Sequence, residues 1–174
     1  MLPRAIANAL QLPKLEAGSL KATKWSTTEE KAKFGNHLLR FISEDHPPNL
    51  WTNIFYNRLS MTFSDIAHYN KLGFWETFFE NTADYVQFLQ NIATHPCWGD
   101  PAYTYSDIEK VVRARVIKSG VIAWKEKVLA AERRNRELVE LTRLKSIYEN
   151  SPAPADEPLP AALTQILTQA DLFS

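Results

Sequence analysis

The side chains able to do chemistry are few and lie far apart. Four histidines and one cysteine are spread over the chain without the paired spacing that a zinc site needs. His95 and Cys97 stand close enough to suggest a base and a nucleophile, but near neighbours in a proline-bounded loop rarely face each other. Glu76 and Glu80 sit one helical turn apart and could present two carboxylates on one face, an arrangement that more often just solvates a helix. There is no glycine-rich phosphate loop, no nucleophile elbow and no paired metal-binding carboxylate motif. The expectation is a non-enzymatic protein that holds no metal and no cofactor.

The cations are more informative than the candidate catalysts. The chain carries 20 Lys and Arg against 20 Asp and Glu, yet the charge is distributed in blocks. Residues 1–25 sum to +3, 26–106 to −4, 107–149 to +4 and 150–174 to −3. A basic block of this kind pairs internally or meets an acidic partner such as nucleic acid. Ser106 and Glu109 have the spacing of a capping box, and nothing breaks a helix decisively from there to Asn150-Ser151-Pro152, with Gly120 the one weak point. This predicts a helix of about 40 residues over 107–149, on the order of 60 Å long. At 100° per residue, Ala114, Ile117, Val121, Trp124, Val128 and Val139 share one sector, widened before Ala130 by Val111, Ile122 and Leu129. The first half should pack and the second half should project. Lys118, Lys125, Arg136 and Arg143 flank the seam on one side and Lys127, Arg134 and Lys145 on the other. A parallel homodimer through that seam would oppose like charges, so DNA or an acidic protein suits these seven residues better.

The rest of the chain must position that helix. Residues 1–25 carry Pro3, Pro13 and Gly18 with no sustained period and read as an N-terminal arm with one short helix over 4–10. Ser26 and Glu29 form the first capping box, opening a helix with Phe34, Leu38, Phe41 and Ile42 on its apolar face. His46-Pro47-Pro48 ends it, because a residue before proline is pushed out of the helical region. A second helix follows over 50–59 with Trp51, Ile54, Phe55 and Leu59. A short third runs from Ser64 or Asp65 to Gly73, and helical stretches cover 74–79 and 83–93. Between Trp51 and Phe88 lie 11 of the 20 aromatic residues, in an acidic interval that favours an aromatic core over a base-stacking platform. Period-2 alternation is absent. The fold expected is all-α: a helical bundle over 26–149 with an aromatic-rich core and one long projecting helix, then a flexible proline-rich tail over 150–174.

No run reaches the roughly 18 apolar residues of a membrane span. The first 15 residues, broken by Pro3 and Pro13, make a poor signal peptide, so the expected compartment is the cytoplasm, with no membrane partner.

The most specific signal is in the tail. Pro152, Pro154, Pro158 and Pro160 form a semi-extended linker, followed by a short amphipathic stretch with Leu163, Ile166, Leu167, Ala170 and Phe173. Within it stands Gln169-Ala170-Asp171-Leu172-Phe173. This resembles the pentapeptide by which bacterial replication and repair proteins bind the sliding clamp of the replicative polymerase: Gln, a variable residue, Ser or Asp, Leu, Phe. All four restricted positions match, a coincidence expected in roughly one in three hundred chains of this length. The resemblance implies that Leu172 and Phe173 enter an apolar cleft on the clamp, that Gln169 orients the peptide and that Asp171 makes a polar rim contact. The function expected is therefore an accessory protein of bacterial, phage or plasmid DNA replication or repair. The alternatives are a clamp-blocking inhibitor from a mobile element and a helical interaction adaptor unrelated to replication.

Overall fold

The computed structural model describes residues 1–63 and 81–149, and among these every regular element is helical. The expected helices over 64–73 and 74–79 and the tail over 150–174 lie outside the described residues, as do Glu76, Glu80 and all of Gln169, Asp171, Leu172 and Phe173. The described α-helices are α1 (Arg4–Gln11), α2 (Thr28–Ser43), α3 (Asn53–Thr62), α4 (Thr82–Thr94), α5 (Ser106–Ser119) and α6 (Val121–Tyr148), with 3-10 turns at Ala17–Ser19 and Pro48–Leu50. The chain divides into two compact units, Met1–Ala131 and Glu132–Ser174. No helix among the described residues is long and apolar enough to cross a membrane.

The expected 40-residue helix is two helices. Gly120 adopts φ +74°, a left-handed conformation that ends α5 and that L side chains avoid by roughly 1–2 kcal/mol. The longest helix, α6, therefore has 28 residues. The break also shifts the phase on which the seam was drawn. On α5 the buried side chains are Ile108, Val112 and Val116, whereas Ala114 and Ile117 are exposed. On α6 burial is confined to Val121 and Lys125, one turn apart, with Ile122 and Trp124 packed partly against the core.

Helix α2 packs on both α1 and α5. Its capping box is real but one residue later than the sequence suggests: Thr27 Oγ1 accepts from the Glu30 N–H, and the Glu30 carboxylate accepts from the Thr27 N–H. Ser26 is otherwise engaged, accepting the Tyr105 hydroxyl at 2.7 Å. Along α2, Phe34, Leu38, Leu39, Phe41 and Ile42 are buried. A Cβ on Gly35 would stand 2.6 Å from Leu15 Cδ1 and 3.2 Å from Ile108 Cδ1, so the N-terminal segment and α5 approach α2 closely because that side chain is missing.

The helix ends at Ser43, four residues before Pro47 and earlier than the proline alone requires. Asp45 and His46 both take positive φ, 69° and 61°, and the His46 N–H returns to the Phe41 carbonyl at 2.8 Å. Tertiary contacts hold these two strained residues. The buried His46 ring stacks on Tyr85 at 4.7 Å and meets Phe41 edge-on at 5.0 Å. Around them the aromatic cluster predicted from composition is present: Phe41 contacts Trp51, Phe55 and Phe88 at ring distances of 5.5, 5.3 and 6.3 Å. The 3-10 turn over Pro48–Leu50 delays α3 until Thr52, whose hydroxyl caps it, and turns Ile54 outward to 71% exposure.

The N-terminal residues are part of the core: Leu2, Leu10, Leu15 and Leu20 are all buried. Polar contacts fix the segment as well. Arg115 on α5 donates to the carbonyls of Leu10 and Pro13, and the Asn36 side chain on α2 bonds both the N–H and the carbonyl of Leu15 at 2.9 Å. Lys31 supplies a further tie. Fully buried, it pairs with Asp107 at 2.7 Å and donates to the carbonyls of Lys21, Pro101 and Thr104 at 2.9–3.1 Å. One ammonium thus joins the N-terminal segment, the loop before α5 and α5 itself.

Candidate functional site

His95 and Cys97, close in sequence, do not face each other as a base and a nucleophile would. The Cys97 thiol lies 3.9 Å from the His95 carbonyl oxygen, so it faces that residue's backbone, while the His95 ring packs on Phe63 at 5.3 Å. Among the described residues no group of three His, Cys, Asp or Glu is placed to hold a metal ion.

The seven cations of the expected binding surface do not share one environment. Lys125 is corrected outright: at 3% exposure it is inside the first unit, ion-paired with Asp45 and lying over the Tyr85 ring at 4.7 Å and the Trp124 ring at 5.6 Å. Burial pushes the Asp45 carboxyl up, but the adjacent His46 ring at 3.7 Å and the ion pair with Lys125 outweigh that and hold it well below the usual carboxylate range. Burial conversely pushes His46 down, favouring the neutral ring. This buried group anchors the end of α2 to α6. Lys118 and Lys127 are exposed in the first unit. Arg134, Arg136, Arg143 and Lys145 are exposed in the second, where Arg143 makes a two-pronged pair with Glu140 at 2.7 and 2.8 Å. Residues 132–149 hold five basic and four acidic side chains, so this stretch of α6 is nearly neutral as a whole.

A more strongly cationic surface lies where sequence reasoning did not look. A groove of about 560 Å³ between the end of α1 and the outer face of α2 is lined by Gln11, Lys14, Lys33, Asn36, His37 and Arg40. Lys33, His37 and Arg40 follow the i, i+4, i+7 spacing of one helix face. Lys14 joins them because the Arg115 and Asn36 bonds hold its neighbours Pro13 and Leu15. No carboxylate lines the groove. Arg40 commits its Nε to Glu44 at 2.7 Å, and His37 Nε2 contacts the Leu50 carbonyl at 2.8 Å. Among the described residues, no carboxylate lies within ion-pair distance of Lys14 or Lys33. The sequence signal that could have found this groove is the +3 block at the N-terminus together with the spacing on α2.

Glu109 is the other residue missed. Ser106 does not cap α5 as expected: it is buried, and its hydroxyl donates to the Gly99 carbonyl at 3.0 Å. Glu109 points inward with it, at the edge of a cavity of about 450 Å³ shared with Met61, Thr62, His95, Trp98 and Thr104. Burial, with the nearby Asp107 charge adding to it, pushes the Glu109 carboxyl up to about 7.

Comparison of the chain with protein-family models, with curated proteins and with solved structures gives no match.

Proposed function

We propose that the protein is a non-enzymatic accessory factor of bacterial, phage or plasmid DNA replication or repair, recruited to the polymerase sliding clamp through Gln169-Ala170-Asp171-Leu172-Phe173. The observation that carries this reading is the match of that pentapeptide, at all four restricted positions, to the clamp-binding pattern. Its position in the sequence supports the reading: four prolines within ten residues stand between it and α6, a composition that suits a tether. Leu172 and Phe173 would each gain about 1.5–3 kcal/mol on burial in an apolar cleft, less the cost of ordering the tail. A peptide of this size binds in the micromolar range, so a second contact made by the body would raise residence by effective concentration.

Retention of the intact chain on an immobilised bacterial sliding clamp tests the proposal. Retention that is released by excess free pentapeptide is the expected result, and passage without retention contradicts it.

A second reading has its own observation. Leu138, Leu141, Leu144 and Ile147 are each at least 37% exposed on the last turns of α6 and fall within half of the helix circumference. That favours a helical adaptor, in which this flank docks another protein. The two readings separate on the clamp, which an adaptor unrelated to replication would not bind.

A further inference from the structure

We infer that the groove between α1 and α2 binds the phosphate backbone of DNA through Lys14, Lys33 and Arg40. The inference rests on the replication reading for the identity of the polyanion and on the groove itself for the site.

Three features carry it. First, the lining has a single sign: three cations, the His37 ring and the amide side chains of Gln11 and Asn36, with no carboxylate among them. Residues 132–149, which hold four of the seven cations the sequence favoured, offset five basic side chains with four acidic ones and so attract a polyanion less, and of the other three Lys125 is buried. Second, the cations stand on fixed backbone. Lys33 and Arg40 project from the middle and end of α2, and Lys14 from a segment that Arg115 and Asn36 hold at both flanking residues. An ordered array loses less freedom on binding than cations on a loop would. Third, the dimensions fit. From Lys33 to Arg40 is about 10 Å at 1.5 Å per residue, the axial length of about three nucleotides of one strand.

An acidic protein fits less well. Tight protein partners insert apolar or aromatic anchors into pockets, and all six side chains of this groove are polar or charged. Binding here must come from charge and hydrogen bonds to a repeating anion.

Salt dependence is the direct signature. Three phosphate contacts release about three counterions, giving a slope of about −2.7 in log K against log salt for duplex, and about −2.1 for single strands. On duplex this amounts to a loss of about fortyfold between 50 and 200 mM salt. The experiment is a fluorescence-anisotropy titration of labelled 20-mer duplex and single-stranded DNA with the full chain, across that salt range. It is repeated with the triple variant Lys14→Gln, Lys33→Gln, Arg40→Gln and with a control triple on α6, Lys127→Gln, Arg134→Gln, Arg136→Gln. The groove triple is expected to bind at least tenfold more weakly at 50 mM salt and to lose most of the slope, and the α6 triple to stay within about twofold of the native chain. All three groove residues are exposed, and thermal melting checks that the triple folds; if it melts early, the single charge reversal Lys33→Glu is read in its place.

Native-like DNA binding by the groove variants overturns the inference. So does a loss carried by the α6 triple, or equal affinity for polyglutamate of the same length. Clamp binding is titrated with the same proteins. A chain that binds the clamp but not DNA refutes this inference and leaves clamp recruitment standing, whereas one that binds DNA through the groove but not the clamp does the reverse.

Discussion

Replacing Glu109 with Gln should stabilise the protein at alkaline pH and leave it unchanged near pH 4.5. The carboxyl titrates at about 7 in the fold against an ordinary 4.5, because burial and the Asp107 charge disfavour its ionised form, with Lys110 opposing weakly. The folded state therefore holds more proton than the unfolded chain between those values, and stability falls as pH rises through that window. The full difference is worth at most about 3.4 kcal/mol at 1.36 kcal/mol per pH unit. Solvent entering the cavity beside Glu109 screens part of it, leaving about 2 kcal/mol. Gln keeps the shape and cannot ionise, so the variant escapes this cost. In the native chain the effect is masked: His46, held neutral by burial, costs stability as pH falls below about 6.5, the opposite sign in an overlapping range. The measurement is thus a difference, thermal unfolding of native and Glu109→Gln protein followed by circular dichroism from pH 4.5 to 8.5. The variant should melt about 4–8 °C higher at pH 8 and within a degree or so at pH 4.5. A gap that is the same at every pH would mean that only packing had changed, and the reasoning would fail.

Lys31→Met should cost about 3–5 kcal/mol, because it removes the cation from the Asp107 carboxylate and the shared donor from three backbone carbonyls of a buried site; denaturant titration reads this directly, and a loss under 1 kcal/mol would contradict the role given to that ammonium. Gly120→Ala should cost about 1–2 kcal/mol through its left-handed backbone alone, since nothing lies within 4 Å of the added Cβ. A neutral or stabilising result in the same titration would show that α5 and α6 can run on as one helix.

The helical class and the aromatic core were legible in the sequence because both rest on local period and composition. Phe34, Leu38, Phe41 and Ile42 are buried together on α2 as their spacing requires. Finer features depended on partners far along the chain. Ser26 and Thr27, each followed three residues later by a glutamate, satisfy the capping pattern equally, and what separates them is the hydroxyl of Tyr105, 79 positions away. Ser106 and Glu109 satisfy it too, yet both turn inward, because α5 packs that face on the core. The long helix failed at its one visible weak point: helix periodicity says nothing about a single left-handed residue, and once Gly120 takes that conformation the seam on either side loses its common phase. Lys125 was read as a surface cation for the same reason. The α1–α2 groove was legible only in part: the basic N-terminal block and the spacing on α2 were visible, but Lys14 reaches the groove only after the N-terminal segment folds back under Arg115, 102 positions from Pro13.

The proposed recruitment to the sliding clamp is decided by calorimetric titration of the intact protein and of a Leu172→Ala, Phe173→Ala variant into a bacterial sliding clamp. Binding on the order of micromolar is expected for the intact chain, with a loss of at least a hundredfold in the variant, from about 3 kcal/mol or more of lost apolar burial. Equal binding by both proteins, or no binding by either, would contradict it.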